Sequence, residues 1–376
     1  MQYLGDSELR VFIEDVLGND LPFGGKVVIF SGDFRQNLPV IKFGNRADIV
    51  DNTIKKMEWW YSVRTLSLTD NMRVLLNGNT NVAREFTEML LSIGDGRFVI
   101  QPEVGSDAIK VPNDLVWPDQ NSTNFMNWVF PNLDIGDIGS SAAILAPHNA
   151  DVDDLNLLAL QLMPGEVIEL KSADSIMADT GVESDNLNHL YPIEYLNSIV
   201  LPSLPHHKLL LKVKAVVLLT RTLDTTKGLC NGTRLMVLGV INCRILHVLI
   251  LNGTRAFTGD TANYVPKSFP AHEAYIPRID LECTDIPVPL KRRQFPVRLA
   301  FAMTINKAQG QSLKKVGIYL NTNPVFAHGQ LYVALSRAGF KETTKIFIGD
   351  VKNVQGKFPL IEGTFTKNIV YKEIFR

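Results

Sequence analysis

The chain has 376 residues, of which 45% are hydrophobic and 20% are charged. These values are typical of a globular protein with two or three domains, each large enough to bury its own core. The formal net charge of −1 excludes a global surplus of positive charge, so any nucleic-acid-binding surface has to be local.

No apolar run approaches the ~20 residues that a membrane span requires, and the N-terminal residues lack the pattern of a signal peptide. The three cysteines, Cys230, Cys243 and Cys283, are too far apart in sequence for a zinc site. We therefore expect an intracellular, soluble protein without a membrane partner, and the sequence predicts no metal-ligating residues.

The first elements in chain order indicate an α/β fold. Helical periodicity extends from Glu8 to Leu17, and the apolar run Lys26–Phe30 predicts a parallel strand buried on both faces. Gly32-Asp33-Phe34-Arg35-Gln36 follows, where the carboxyl edge of such a sheet binds ligands. There a glutamine amide can orient a water or sense a γ-phosphate, and Asp33 can order the loop or a metal-bound water. The alternative is an ordinary strand-to-loop turn.

Asn71-Met72-Arg73 follows a strand-like segment, Thr65–Leu68. An arginine at a domain junction can place a planar cation on charge that develops at a γ-phosphate, although a lone arginine is more often a surface residue. A helix is predicted from Val82 to Ile93. Residues 100–140 are rich in Pro, Asn, Asp and Gly and favour a linker with a little local structure.

The α/β rhythm restarts with a predicted strand, Ala142–Ala146, a turn at Pro147-His148-Asn149 and a helix over Val152–Leu162. Further strands are predicted over residues 216–220, 234–240, 299–304, 316–320 and 345–348, and a helix from His328 to Arg337. Residues 165–205 have the polar pattern of an insertion or long loop. Between Ile241 and Pro296, short β runs and turn signals predict a small inserted antiparallel barrel.

Three segments each have two interpretations. Lys227–Arg234 could follow a phosphate chain with its glycine amides, or form a tight Asn-Gly hairpin. Lys291-Arg292-Arg293 could lead nucleic acid into a channel, or be a solvated run of charge. Trp59-Trp60-Tyr61 could stack on bases, although such clusters more often fill a core.

The strongest signal lies near the C-terminus, where Leu299–Met303 runs into Thr304-Ile305-Asn306-Lys307-Ala308-Gln309-Gly310-Gln311-Ser312. A predicted helix then ends in Tyr-Val-Ala-Leu-Ser-Arg at Arg337. With Gly-Asp-Phe-Arg-Gln, Asn-Met-Arg and Gly-Leu-Cys-Asn-Gly-Thr-Arg before them, these segments occur in a characteristic order. In that order the chain resembles the PIF-one-like helicases (petite-integration-frequency type, superfamily one), including the helicase region of Helitron transposons. The resemblance extends from about Leu9 to Asp350.

The resemblance implies roles for individual residues. Gln36 corresponds to the γ-phosphate and water sensor of the third helicase motif, and Arg73 and Arg337 to γ-phosphate-facing arginines of the fourth and sixth, so these three are the candidate catalytic residues. The implied nucleotide-binding residues are Gly32, Asp33, Gly310 and Gln311. The implied nucleic-acid-binding residues are His148, Asn149, Thr304, Asn306, Lys307 and Gln309.

The resemblance also implies a RecA-like P-loop helicase fold with a truncated first motor domain and a complete second one that carries a small inserted β-barrel. The expected domains are residues 1–100 (first motor domain), 101–140 (linker), 141–240 with 297–376 (second motor domain) and 241–296 (barrel). Members of the family unwind DNA in the 5′-to-3′ direction with ATP and Mg²⁺. The expected partner is therefore single-stranded or forked DNA, and the expected location is the nucleus or the mitochondrion.

Two elements of such an ATPase do not occur in the sequence: a Gly-x-x-x-x-Gly-Lys-Ser/Thr phosphate loop and an Asp-Glu pair for magnesium. We therefore expect the C-terminal portion of a helicase that alone hydrolyses no appreciable ATP. The alternatives are a non-enzymatic nucleic-acid-binding remnant, and an activity reconstituted with an upstream helicase segment that supplies the phosphate loop.

Overall fold

A computed structural model describes residues 16, 18–19, 21–41, 43–68, 81–133, 142–177, 191–201, 203–251, 272–283, 289–351, 355–359 and 361–375. In this part of the chain the α-helices are α1 (Arg46–Asp51), α2 (Asn81–Gly94), α3 (Ser122–Val129), α4 (Asn149–Leu162), α5 (Ile193–Ser198) and α6 (Gln330–Ser336). Short 3₁₀ turns cover Pro22–Gly25, Ile54–Lys56, Glu58–Ser62, Ile305–Ala308 and Lys372–Phe375.

The strands of the same residues form parallel and antiparallel pairs, as expected of a mixed α/β fold. They are β1 (Ala108–Val111), β2 (Ala142–Ala146), β3 (Ile168–Lys171), β4 (Ala173–Ile176), β5 (Lys208–Leu211), β6 (Val216–Leu219), β7 (Arg234–Ile241), β8 (Ile245–Ile250), β9 (Glu273–Pro277), β10 (Ile279–Cys283), β11 (Leu290–Gln294), β12 (Val297–Leu299), β13 (Ala302–Thr304), β14 (Lys315–Leu320), β15 (Thr344–Ile348), β16 (Gly356–Phe358) and β17 (Ile361–Lys367).

The chain divides into two compact units. Residues 1–120 and 308–376 form one, which we call the terminal unit, and residues 121–307 form the other, the middle unit. The domain boundaries predicted from the sequence fall at other positions and remain a prediction.

The middle unit contains a parallel pair, β2 with β13, in which Ala146 lies opposite Thr304. All five residues of β2 are buried, which confirms the strand predicted from its continuous apolar run. Helix α4 follows β2 directly and packs against both strands. The two strands therefore end at the same edge, and the segments that follow them emerge side by side.

Residues 299–304, predicted as one strand, are two strands with a break at Ala300-Phe301. Ala300 N–H still donates to Val216 O of the antiparallel sheet, whereas the next residues bond to Asn156 of α4. Asn156 Oδ1 accepts from the N–H groups of Phe301 (3.0 Å) and Ala302 (2.9 Å). This buried amide satisfies the backbone where the chain changes sheets. The sequence pattern gave no signal for that role.

The remaining strands of the middle unit are antiparallel. Strands β12-β6-β7-β8-β9 form one sheet, β10-β11-β4 a second, and β3-β5 a two-stranded ribbon. The antiparallel character predicted for residues 241–296 is thus confirmed. A separate barrel is not, because the described strands of that range belong to two sheets that also contain β4, β6, β7 and β12.

The terminal unit combines a parallel pair, β14 with β15, and an antiparallel sheet, β1-β17-β16. Helix α2 buries Phe86, Leu90 and Ile93 along one stripe and packs against α6, which confirms both predicted helices. Residues 101–140, predicted as a linker with a little local structure, include β1 and α3. Among the described helices, none has the length and hydrophobicity to span a bilayer.

The predicted buried strand Lys26–Phe30 is wrong. The segment pairs with no described strand, and the side chains of Val27 and Ile29 are 91% and 87% exposed. A buried parallel strand needs a neighbouring strand on each side, and among the described strands Lys26–Phe30 has none. Trp59 does fill a small core with Phe23 and Ile54, as its hydrophobicity predicted. The predicted helix Glu8–Leu17 lies outside the described residues except for Val16.

Candidate functional site

The turn that contains Gln36 belongs to the terminal unit and is ordered by Asp33. The N–H of Arg35 donates to Asp33 Oδ1 at 3.0 Å, and the N–H of Gln36 donates to Asp33 O at 3.0 Å. Such a bond from an aspartate to the backbone two residues on forms an Asx turn. Tyr332 of α6 donates its hydroxyl to Asp33 Oδ2 at 3.1 Å. We call residues 32–36 the Asp33 turn.

Arg35 fixes the Asp33 turn to the end of α2. Its Nε donates to Asp95 Oδ1 at 2.5 Å, and its guanidinium lies 3.4 Å from Asp33 Oδ1. Burial disfavours the cation, but the hydrogen bond to Asp95 and the two carboxylate charges together raise the pKa of Arg35. Arg35 is therefore a charged structural residue of this turn.

Gln36 contacts the loop that precedes β14. Gln309 Nε2 donates to Gln36 Oε1 at 3.0 Å. The loop, residues 308–311, is closed by the N–H of Gln311 donating to Ala308 O at 3.0 Å. Gly310 has φ +82°, in the left-handed region that favours glycine. We call this segment the Gln309 loop; Gln309 and Gly310 are exposed to solvent.

Arg337 follows the last residue of α6 and contacts the same loop. Its guanidinium donates to Val333 O (3.0 Å), Ser336 Oγ (2.8 Å) and Gln311 O (3.3 Å). Because Gln36 contacts Gln309 and Arg337 contacts Gln311, the structure brings two of the three predicted catalytic residues to one loop. Arg73 lies outside the described residues, so its place remains a prediction.

Two glycines allow the backbone around this site to approach closely. A Cβ on Gly329 would lie 2.7 Å from the carbonyl carbon of Gln36, and its φ is +74°. A Cβ on Gly94 would lie 2.8 Å from the ring of Tyr332. Both distances are shorter than van der Waals contact, so a side chain at either position would displace the Asp33 turn or α6.

His328 is a further residue of this site that the sequence did not reveal. Its Nδ1 accepts from the backbone N–H of Tyr371 at 2.8 Å, so its proton is on Nε2, which donates to Phe34 O at 2.8 Å. The ring is 2% exposed, and this burial lowers its pKa. Both partners are backbone atoms distant in sequence, so no residue pattern could indicate this link between the C-terminal segment and the Asp33 turn.

Tyr332 is held in its neutral form beside the same carboxylate. Burial first, and then the charge of Asp33, raise the pKa of Tyr332 to about 12. Its hydroxyl therefore keeps its proton at neutral pH and donates it to Asp33. The tyrosine of the Tyr-Val-Ala-Leu-Ser-Arg segment thus orients the turn that carries Gln36.

The predicted nucleic-acid-binding residues of the middle unit share one sheet edge. His148 and Asn149 follow β2, and Asn306 and Lys307 follow β13, the parallel neighbour of β2. Asn149, Asn306 and Lys307 are exposed, whereas His148 and Thr304 are half-buried. Gln309, predicted to bind nucleic acid as well, lies in the terminal unit against Gln36.

A cavity of about 680 Å³ lies beside this edge, within the middle unit. Its lining includes buried apolar side chains (Leu209, Leu218, Met303) and the polar residues Asn149, Asp153, Arg298, Thr304 and Lys307. Desolvation, and then the nearby Arg298 cation, lower the pKa of Lys307, while Asp153 opposes the shift. The volume is in the range of small-ligand sites.

The segment Lys227–Arg234 has the structure of a tight turn. The N–H of Gly232 donates to Leu219 O at 2.8 Å, and the N–H of Leu229 donates to Asp224 O at 2.8 Å. These amides are therefore engaged within the chain, which disfavours phosphate binding. The N–H of Thr233 donates to Cys230 O at 3.0 Å and closes a tight turn at Asn231-Gly232, but the paired strands β6 and β7 are joined by residues 220–233 and not by a two-residue hairpin loop. Arg234 is fully buried and donates to Ala142 O at 2.9 Å.

The basic segment Lys291-Arg292-Arg293 is structural at its centre. Arg292 and Asp174 form an ion pair at 2.7 Å with both side chains 0% exposed. Lys291 lies 3.1 Å and Arg293 3.8 Å from the carboxylate of Asp280. Arg292 is therefore a core residue. It belongs neither to a surface that leads nucleic acid into a channel nor to a solvated run of charge.

Comparison with known proteins gives a consistent result. The family model described as PIF1-like helicase matches residues 6–103, and the model for the 2B domain of DNA helicase Pif1 matches residues 194–240. The ATP-dependent DNA helicase PIF1 of Xenopus laevis is 28% identical over 357 residues. The resemblance to PIF1-like helicases is therefore confirmed. That alignment covers 93% of this chain but 45% of the Xenopus protein, so the chain spans about half the length of this PIF1 relative.

Solved Pif1 structures share the α/β fold. The Pif1 helicase from Candida albicans aligns over 94% of this chain and 72% of its own, with a TM-score of 0.59 and 21% identity. A Bacteroides Pif1 helicase in complex with ADP-AlF3 and ssDNA aligns over 92% and 68%, with a TM-score of 0.55 and 21% identity. At these sequence identities, the likeness to Pif1 structures shows that the fold with its mixed sheets is shared, and nothing beyond the fold.

Proposed function

We propose that the chain is the portion of an ATP-dependent 5′-to-3′ DNA helicase that senses the nucleotide and contacts DNA. The observation that carries the proposal is the Gln309 loop, which contacts Gln36 on one side and Arg337 on the other. An amide and a guanidinium at one loop suit a γ-phosphate, because the amide orients water and the cation stabilises developing negative charge.

In this proposal Gln36 orients the attacking water, while Arg337 and Arg73 stabilise charge at the γ-phosphate that ATP supplies when bound. Asp33 keeps Gln36 in place through the Asp33 turn. The backbone of Gly32, Gly310 and Gln311 lines the nucleotide edge. The complex of a Bacteroides relative with ADP-AlF3 and ssDNA supports nucleotide and DNA as the ligands.

The residues present do not fit a complete ATP and magnesium site. The sequence contains neither a Gly-x-x-x-x-Gly-Lys-Ser/Thr loop nor an Asp-Glu pair. Within the described ranges no group of three His, Cys, Asp or Glu side chains could hold a metal ion. We therefore propose that this chain alone does not hydrolyse ATP appreciably.

The phosphate loop would come from a further helicase segment, upstream in the same polypeptide or on a separate chain. Two apolar stretches, Lys26–Phe30 and Thr65–Leu68, pair with no strand among the residues that the structure describes, and we propose that they pair with it. Val27, Ile29, Leu66 and Leu68 are between 78% and 102% exposed. Unpaired extended backbone with apolar side chains is a template for added strands. Such pairing would add strands to the RecA-like motor domain proposed for residues 1–100.

The DNA would contact the middle-unit edge formed by His148, Asn149, Thr304, Asn306 and Lys307. Gln309 of the terminal unit is proposed as a separate DNA contact. Amide, hydroxyl and ammonium donors bind phosphate oxygens and position a strand without reading its sequence. Single-stranded or forked DNA is the proposed ligand. A second RecA-like domain over residues 141–240 and 297–376, a barrel over 241–296 and a nuclear or mitochondrial location also remain proposals.

The test uses the purified chain with a fluorescently labelled single-stranded oligonucleotide and a phosphate-release assay. We expect binding that weakens as salt increases, and no ATP turnover above background. Robust turnover would contradict the proposed inactivity, and absence of DNA binding would contradict the helicase assignment.

The alternative is a non-enzymatic nucleic-acid-binding remnant that uses the DNA-contacting edge alone. A separately expressed helicase segment that carries this loop distinguishes the two. Turnover that appears on mixing, and is lost with Arg337→Ala, supports the helicase portion. DNA binding without any turnover on mixing supports the remnant.

A further inference from the structure

The cavity of the middle unit has an apolar floor. Leu209, Leu218, Ala300 and Met303 line it and are each 5% exposed or less. They come from β5, β6 and the chain around the break between β12 and β13. A floor of aliphatic and thioether side chains suits a planar apolar face, such as an aromatic ring.

The rim of the same cavity is polar and includes two close cations. Arg298 donates to the carbonyl oxygens of Leu201 and Leu204, which hold it in place. The Arg298 cation lowers the pKa of Lys307, so the two charges repel each other. The carboxylate of Asp153 is the nearby counter-charge, and His206 Nε2 lies 3.6 Å from it. An anion at the rim would relieve the repulsion between Arg298 and Lys307.

Asn197 adds a specific hydrogen-bonding requirement. It lines the cavity from α5, and its buried Oδ1 accepts no hydrogen bond within the part of the chain that the structure describes. A buried acceptor without a donor is costly. A ligand that donates an N–H to Asn197 Oδ1 would remove that cost. The exocyclic amino groups of adenine, cytosine and guanine are such donors.

We propose that this cavity takes one unstacked base of a bound single strand, with the adjoining phosphate at Lys307 and Arg298. The proposal rests on the DNA binding proposed for the same edge and assigns it a base subsite. It accounts for all three observations: the ring covers the apolar floor, the phosphate lies between the cations, and an amino group satisfies Asn197. Taking a base out of the stack costs least in a single strand.

The first experiment compares oligonucleotides that differ at one position. A series of single-stranded oligonucleotides with one abasic site, moved along the strand, is titrated against the wild-type chain by fluorescence anisotropy. We expect binding about tenfold weaker at one position, the size of a lost base contact, and little change elsewhere. A 2-aminopurine at that position should increase in fluorescence on binding, because it leaves the stack.

The second experiment tests the amino group. Cytosine and thymine are both pyrimidines, but only cytosine carries an exocyclic amino group. At the sensitive position we expect about fivefold tighter binding of cytosine than of thymine, the worth of one buried hydrogen bond. Asn197→Leu should abolish that preference. Gln161→Leu, a matched change at an exposed residue of α4 outside the cavity, should keep it.

The outcomes separate the base subsite from the helicase proposal. If single strands bind but abasic positions and 2-aminopurine have no effect, the base subsite is overturned and DNA binding stands; an apolar side chain of a protein partner would then be the better occupant. If no single strand binds, the helicase proposal itself fails. The abasic-site and 2-aminopurine experiments use the wild-type chain, so they test the base subsite even if Asn197→Leu does not fold.

Discussion

Gln36 in the terminal unit and Lys307 in the middle unit are both candidate ligand-binding residues, but their surroundings differ. Gln36 is held by hydrogen bonds to Gln309 and within the Asp33 turn. Lys307 is exposed beside a cavity, in the neighbourhood of a second cation. The terminal-unit site is held by internal hydrogen bonds, whereas the middle-unit site combines cations with an apolar cavity surface.

This difference determines which changes each site should tolerate. Where polar groups satisfy one another, a shift of one backbone segment removes several hydrogen bonds together, so the terminal-unit site should be sensitive to sterics. Where cations face solvent, substitution should change ligand binding and leave the fold almost unaffected. Substitutions in the two units can therefore test the contrast.

The largest effect is expected for a charge of the middle unit that belongs to neither site. Asp174→Ala leaves the fully buried Arg292 without its carboxylate. Removing one partner of a buried ion pair costs about 3–5 kcal/mol, so we expect a loss of this size in the free energy of unfolding, measured by chemical denaturation.

The matched control for Asp174 is Asp280→Ala, because Asp280 lies at 3.1 Å from Lys291 and both side chains are more than a third exposed. A solvent-exposed pair contributes about 0–1 kcal/mol. Equal losses for the two alanine variants would show that Arg292 is not buried as described, and would return the basic segment to the candidates for DNA contact.

The next largest effect is expected for Gly329→Ala in the terminal unit. Its Cβ would lie 2.7 Å from the carbonyl carbon of Gln36, at φ +74°. We expect a loss of about 3 kcal/mol from the combined strain and overpacking, measured by thermal denaturation. The Asp33 turn should be displaced, so any nucleotide-dependent activity restored by a phosphate-loop segment should fall as well.

Gly310→Ala is the control, because Gly310 has a similar φ of +82° but nothing within 4 Å of a Cβ. It should lose only the backbone cost of about 1–2 kcal/mol. If Gly310→Ala were as destabilising as Gly329→Ala, the close approach of α6 to the Asp33 turn would not be the cause.

The sequence correctly predicted the strands and helices whose formation depends on the pattern of their own residues. Strand β2 has a continuous apolar run and α2 a helical stripe, and both form where the pattern places them. Lys26–Phe30 has an equally apolar run, but its burial depends on neighbouring strands, which its own residues do not report.

The same limit applies to single functional residues. Lys307 and Arg292 both lie in basic or polar motifs, yet one is exposed and the other is fully buried. His328 was missed because its partners are the backbone atoms of Phe34 and Tyr371. Long-range backbone contacts of this kind leave no mark in the residue pattern around a histidine.

A smaller effect is expected from the protonation of His328. Because burial lowers its pKa in the folded state, the unfolded chain binds more protons below about pH 6.5, and stability falls as the pH decreases through this range. Protonation of Nδ1 also breaks the bond from Tyr371 N–H. Of the charged groups that face the ring, Asp33 and Glu373 oppose the lowered pKa, and Arg46 adds to it.

The measurement is the free energy of unfolding of wild type and His328→Gln between pH 7 and pH 5. The wild type should lose up to about 1.4 kcal/mol per pH unit more than the variant, the worth of one proton. His207 has a lowered pKa too, but it is present in both proteins, so the difference isolates His328. Parallel pH profiles would contradict its assigned role.

The smallest effect, and the most specific one for the middle unit, is expected for Lys307→Gln. Loss of one phosphate-binding cation should weaken single-strand binding similarly for all sequences and reduce the slope of log K against log salt by about 0.7 for a single strand. The free energy of unfolding should not decrease appreciably, because desolvation and the Arg298 cation already disfavour the Lys307 ammonium in the folded chain. Lys227→Gln is the control, since its side chain is 71% exposed and it lies outside the cavity. An unchanged salt slope for Lys307→Gln would mean that DNA does not use the edge beside the cavity, whatever the Gln309 loop does in the terminal unit.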